Sequence, residues 1–186
     1  VDMGLSSLEE HKQMGLDTSQ GVILRNYERR CDFHGVFQLD AIFGLKKIDS
    51  LQQSQLVSGL RYYYRGGQLI NDLKDLLSGD LYGRAYSDIR NGVPTVPLLD
   101  MYINAKLQDQ RKLEEIFGKN RLSFGEQNEI ARMVVESGVI GKTIRRISDS
   151  YFTGIKYLNE ILSPGRLAWF QKWADYKTSF LNEYET

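Results

Sequence analysis

The chain has 186 residues, 41% hydrophobic and 26% charged, enough for one domain with a substantial core. Its 24 Lys and Arg residues balance 24 Asp and Glu residues, which argues against both a nucleic-acid footprint and a polybasic membrane anchor. A single cysteine, Cys31, excludes an intrachain disulfide and fits a reducing, cytoplasmic compartment.

Nothing at the start of the sequence reads as a secretory leader, and no apolar run approaches the length of a membrane span. The first residue is Val1 and the opening stretch is polar and helix-like, so a preceding portion is expected. The first clear helical pattern runs from about residue 19 to 45, with Ile23, Tyr27, Phe37, Ala41 and Leu45 as core candidates. Cys31 lies in it. Arg29 and Arg30 precede the thiol, but His11 and His34 are the only histidines, and a small helix-packing role suits Cys31 best.

A second helix is predicted over residues 49–78, with Asp49 or Ser50 as N-cap and Leu56, Leu60, Tyr63, Leu69, Ile70, Leu73 and Leu76 on its apolar side. A third is predicted over 97–117, with Pro97 in its first turn and Gly118 as its stop. Ser123 with Glu126 forms a capping box for a helix reaching Gly138. A further helix covers about 140–162, where Lys142, Arg145 and Arg146 suggest a solvated face. Pro164 opens the last helix, which carries Trp169 and Trp173 one turn apart, as packing or dimer contacts would be. No strand-like alternation appears. The expectation is an all-α chain, residues 1–186 forming one bundle domain.

Positions 68, 71, 72 and 75 share one face of the second helix, so Gln68, Asn71, Asp72 and Asp75 form a polar cluster on an otherwise apolar element. Two carboxylates a turn apart repel by roughly 0.2–0.5 kcal/mol on an open surface, which a cation reverses. Hard oxygen ligands of this kind suit Mg2+, which takes one or two carboxylates, waters and substrate phosphates. A solvated stripe neutralised by Lys74 or Arg65 is the alternative for N-D-x-x-D taken alone. The following loop carries Gly79, Gly83 and Gly92, Arg84 as a potential phosphate fork, and Asp88, Arg90 and Thr95 ahead of Pro97.

The stretch "GGQLINDLKDLLSGDLYGRAYSDIRNGVPTVPLL", Gly66 to Leu99, resembles the second aspartate-rich region of the trans-isoprenyl diphosphate (polyprenyl) synthases. The family form has a Gln, then D-D-x-x-D, then a glycine–lysine turn and D-[IL]-x-x-G-K-x-T-x-P. More weakly, residues 16–45 and 122–176 are similar to other helices of the same half of such synthases. The resemblance implies an all-α, isoprenoid-synthase-type helical bundle whose N-terminal helices, with the first aspartate-rich motif, are missing here. It implies Mg2+ on Asn71, Asp72 and Asp75, with Asp72 and Asp75 catalytic, and diphosphate contacts from Gln68, Arg84 and His34.

Three positions depart from the family form. Asn71 stands for the leading Asp, and Val93 for the lysine after Gly92. Residues Asp32, Phe33 and His34 stand where a Lys-Thr pair grips the acceptor diphosphate. The changes remove positive charge chiefly on the acceptor side. The expected function is ionisation of an allylic prenyl diphosphate with Mg2+ and transfer of the prenyl group, with Phe37, Tyr63 or Tyr64 facing the cation. The alternatives are a terpene-cyclase-like enzyme and a non-catalytic partner subunit of a heteromeric synthase. A homodimer is implied by the resemblance alone.

Overall fold

Side chains that bond back to nearby backbone set two of the helix starts, those at Asp49 and Ser123. The computed structural model describes residues 14–32, 49–77 and 85–184. Among them are eight α-helices, a terminal 3-10 helix and no strand. The helices are α1 (Gln20–Cys31), α2 (Ser50–Leu77), α3 (Ser87–Arg90), α4 (Val96–Asn104), α5 (Leu107–Ile116), α6 (Phe124–Glu136), α7 (Val139–Asn159) and α8 (Pro164–Thr178). The expected all-α class is what is found. Asp49 caps α2 by accepting from the Gln52 N–H at 2.8 Å. Before α6, the Ser123 hydroxyl accepts from the Glu126 N–H at 3.3 Å, and the Glu126 carboxylate accepts from the Ser123 N–H at 2.7 Å. The second half of the helix expected over 19–45, with Phe37, Ala41 and Leu45, lies outside the described residues.

One expectation is corrected. The helix predicted over 97–117 is two helices, α4 and α5, separated by Ala105 and Lys106 in extended backbone. The Asn104 amide donates to the Asp100 carbonyl at 2.7 Å, and the Gln110 amide to the Tyr102 carbonyl at 3.0 Å. Side chains thus satisfy the carbonyls at the end of α4 and let the chain turn. Gly118 does end α5, at φ 81°, a left-handed stop that costs glycine nothing.

The chain forms two compact units. One comprises Val1–Ile23 and Asn71–Thr143, the other Leu24–Ile70 and Ile144–Thr186. The first packs Leu73, Leu99, Met101, Leu113, Ile116 and Ile130 with almost no exposure. Amid this apolar interior sits Asp100, 1% exposed. Its carboxylate accepts from the Gln20 amide at 2.8 Å and pairs with the Lys142 ammonium at 2.5 Å. A buried carboxylate is tolerable only when paired and hydrogen-bonded, and this one ties α1, α4 and α7 together. Lys142 is therefore an ion-pair partner and not part of a purely solvated face. Buried Asp109 does the same for α5 and α6, pairing with Arg132 at 2.5 Å.

In the second unit α2 and α7 meet backbone to backbone. A Cβ on Gly154 would lie 2.9 Å from the Gly59 carbonyl oxygen and 2.9 Å from the Tyr63 nitrogen, so only glycine permits the approach. Gly66 faces the Tyr151 ring, where an added Cβ would sit 3.2 Å away. The Tyr63 ring stands edge-on to Tyr151 and Phe170, with centroids at 4.9 and 5.1 Å, and its hydroxyl donates to the Phe170 carbonyl at 3.0 Å. On α8 the indoles of Trp169 and Trp173 stack at 6.1 Å on an exposed face, with the Lys177 ammonium 4.9 Å over Trp173. Cys31 is buried. Burial first, then the neighbouring Asp32 charge, pushes its thiol up to about 12 against the opposing pull of Arg61.

Three measurements test this packing. Gly154→Ala forces α2 and α7 apart and should cost about 1–3 kcal/mol, seen as a lower urea midpoint at unchanged slope. Cys31 should resist thiol reagents at neutral pH and react only in step with global unfolding; fast labelling of the folded chain would contradict its burial. Glu126 is held down to about 2 by Lys119 and the Ser123 donors. Because its folded value lies below the ordinary 4.5, its contribution is complete above that pH and fades as the pH falls toward about 2. Glu126→Gln should therefore flatten the acid limb of stability across that window.

Candidate functional site

Helix α2 buries Leu69, Ile70, Leu73 and Leu76, which leaves the intervening polar positions toward the surface. Asn71 is exposed, and Gln68, Asp72 and Asp75 are half-buried. The four residues expected on one helix face are thus carried by one unbroken helix, as the 3.6-residue period requires.

Asp75 does more than border this stripe. Its Oδ1 accepts from the Ser87 N–H at 2.9 Å and from the Ser87 hydroxyl, and its Oδ2 accepts from the Asp88 N–H at 3.0 Å. Its main-chain carbonyl takes the Tyr86 N–H at 3.3 Å. The carboxylate thereby supplies acceptors to the otherwise orphaned first N–H groups of α3. Tyr86, buried, sits in the left-handed region at φ 56° and ψ 37°, a conformation that costs a non-glycine residue about 1–2 kcal/mol. The contacts around it hold it there. Beyond α3, the Val93 N–H bonds the Asp88 carbonyl at 2.8 Å, and the Gly118 N–H bonds the Ile89 carbonyl at 2.7 Å. Arg90 donates through Nε to the Asn120 carbonyl at 3.1 Å, a structural bond. Thr95 and Pro97 then lead, buried, into α4.

Sequence reasoning named the aspartates but missed Ser87 as a partner of Asp75. The signal was present: a serine followed by an aspartate at the start of a short helical stretch is an N-terminus pattern. Arg84, Gly79, Gly83 and His34 lie outside the described residues. Of the aromatics expected to face a cation, Phe37 also lies outside them, and Tyr63 is committed to packing by its bond to Phe170. Tyr64 is half-buried, and that burial raises its pKa.

Of the residues that the resemblance sets against a Lys-Thr pair, Asp32 is among those described. Asp32 accepts a two-pronged ion pair from Arg61, with Nε at 2.8 Å and Nη2 at 2.6 Å. One turn on, Arg65 pairs with Glu28 and lies 4.8 Å over the Tyr62 ring. These arginine–carboxylate pairs join α1 and the residue after it to α2, and no local sequence pattern announces them.

Among the described residues no three His, Cys, Asp or Glu side chains gather as a ready cation site. The α2 stripe nonetheless has the oxygen-ligand chemistry that a hard cation takes: the Asn71 amide oxygen and the carboxylates of Asp72 and Asp75, the latter already accepting from Ser87 and Asp88. It suits an ion that draws the rest of its coordination from phosphate oxygens and water.

No family model matches the chain, and no curated protein matches it. Solved structures do. A decaprenyl diphosphate synthase from Rhodobacter capsulatus superposes with a TM-score of 0.77 at 16% identity, over 96% of this chain and 55% of that one. A geranylgeranyl pyrophosphate synthase gives 0.71 at 17% identity, over 96% and 56%. A polyprenyl synthase from Roseobacter denitrificans gives 0.64 at 16% identity, over 95% and 57%. The chain therefore spans little more than half the length of the structures it matches. Over that span it has the all-α fold of the prenyl diphosphate synthases.

Proposed function

We propose that this chain belongs to a trans-isoprenyl diphosphate synthase and contributes the part of a prenyltransferase that binds an allylic prenyl diphosphate with Mg2+. What supports it above all is the meeting of fold and motif. In a prenyl-synthase fold, the helix bearing Gln68, Asn71, Asp72 and Asp75 is fastened to the loop that the motif prescribes after it. Asn71, Asp72 and Asp75 are the residues that would hold the cation. Gln68, one turn earlier, would donate to a phosphate oxygen, and Arg84 would add the cationic fork. A divalent ion held there would supply Lewis-acid neutralisation of the charge on a departing diphosphate. The allylic C–O bond breaks with its electron pair leaving on the diphosphate, and the allylic carbon is then captured by an acceptor. A homodimer is part of the proposal on the same likeness.

The Asp32–Arg61 pair favours a second reading. At the position where the resemblance puts a diphosphate-gripping lysine, this chain carries a carboxylate already engaged with an arginine. A non-catalytic partner subunit of a heteromeric synthase tolerates that exchange, since it needs no acceptor diphosphate.

The test is diphosphate release from geranyl, farnesyl and geranylgeranyl diphosphate by the longest protein containing this chain, with and without Mg2+. Mg2+-dependent release is expected, reduced by roughly 10–100-fold or more in Asp72→Ala. Product analysis without isopentenyl diphosphate separates cyclisation from elongation. A folded protein that releases none from any of these substrates, alone or with Asp72 replaced, leaves the partner-subunit reading standing.

A further inference from the structure

We propose that the Tyr151 hydroxyl, standing over the bare backbone of Gly67 on α2, donates a hydrogen bond to a phosphate oxygen of the bound prenyl diphosphate. The proposal deepens the prenyl-diphosphate reading and rests on it for the ligand. Two residue choices that packing leaves unexplained meet at this one atom. Short of proline, glycine is the costliest residue inside a helix, yet α2 carries two in succession, Gly66 and Gly67. Gly66 is accounted for, since a Cβ there would press on the Tyr151 ring at 3.2 Å. Gly67 is not. Outside α2 itself, the one atom among the described residues within 4 Å of a Cβ added at Gly67 is the Tyr151 hydroxyl oxygen. It lies at 3.8 Å, an ordinary contact that alanine would make without strain.

The choice of tyrosine at 151 is equally unexplained by packing. The residue is 5% exposed with its ring edge-on to Tyr63, and a phenylalanine would fill that place as well. The Tyr63 hydroxyl donates to the Phe170 carbonyl, whereas among the described residues nothing hydrogen-bonds the Tyr151 hydroxyl. Buried hydroxyls ordinarily have partners, so one left over in a residue this enclosed points to a ligand. Burial pushes the phenol up to about 12, so it stays a neutral donor across the pH range in which diphosphate is charged. Gly67 precedes Gln68 directly and Asn71 by four residues on one unbroken helix, at the N-terminal end of the polar stripe. The methyl group missing at Gly67 thus keeps the hydroxyl open at that end of the stripe, and one phosphate oxygen accounts for both residues.

Calorimetric titration of the longest protein containing this chain with inorganic diphosphate and Mg2+ tests the contact. Tyr151→Phe keeps the ring on Gly66 and removes the hydroxyl alone. It should leave the urea midpoint unchanged and weaken diphosphate binding by roughly 10–100-fold, the loss of a hydrogen bond to a charged acceptor. Gly67→Ala lays a methyl group against the hydroxyl. It should raise the urea midpoint, because alanine favours the helix, and yet weaken diphosphate binding by at least about 5-fold. A purely structural glycine does not give that combination, since relieving its cost to the helix leaves affinity alone. In protein carrying ring-labelled tyrosine, the Tyr151 Cζ signal, identified by its absence from Tyr151→Phe, should move when diphosphate is added.

Full diphosphate affinity in either variant, or an unmoved Tyr151 signal on binding, overturns the proposal and leaves the prenyl-diphosphate reading in place. A lower urea midpoint in Tyr151→Phe overturns it as well, by showing that the hydroxyl serves the fold. If the unaltered protein takes up no diphosphate with Mg2+, the prenyl-diphosphate reading fails and the proposal falls with it.

Discussion

A single carboxylate, that of Asp75, fastens the end of a long helix to a segment that returns twelve residues later. The segment from Tyr86 to Arg90 takes its direction from that return. Tyr86 adopts a conformation that tyrosine ordinarily avoids, α3 lasts a single turn, and the chain then runs through buried Pro94 and Thr95 into α4. A neutral side chain could not satisfy donors on both of its oxygens. The strength of charge-assisted bonds is what offsets the strain at Tyr86.

The same logic recurs inside the first unit. Asp100 and Asp109 are buried carboxylates, each held by a basic side chain from another helix. Such pairs are poor sources of net stability, because taking charge out of water costs about as much as the pairing returns. Removing one partner, however, strands a buried charge, so the pairs punish any arrangement in which the helices fail to meet. They act on which neighbours are allowed more than on how tightly those neighbours hold. The second unit reaches its register by the opposite means. Gly59 and Gly154 let two helix backbones touch, and Tyr63 fills the space beside them with its hydroxyl bonded to a carbonyl.

Between α1 and α2 a carboxylate is again matched by a basic side chain. Arg61 neutralises Asp32 through two hydrogen bonds, so no isolated negative charge stands at the position. The acidic oxygens of α2, by contrast, include Asp75, whose carboxylate is matched by the hydroxyl and backbone N–H of Ser87 and the N–H of Asp88.

Much of the fold was legible because it is local. Asp49, Ser123 with Glu126, Pro164 and Gly118 mark helix ends through bonds and backbone preferences that span four residues or fewer, and each sits where the sequence places it. The acidic stripe was legible for the same reason: helical spacing alone groups Gln68, Asn71, Asp72 and Asp75. The break at Ala105–Lys106 escaped notice because apolar periodicity continues across it, and only side-chain bonds from Asn104 and Gln110 end α4. What Asp75, Asp100 and Asp32 hold onto was decided by tertiary structure. Their partners lie 12 to 80 residues away in sequence, and packing, not periodicity, determines which of many possible donors arrives beside a given carboxylate.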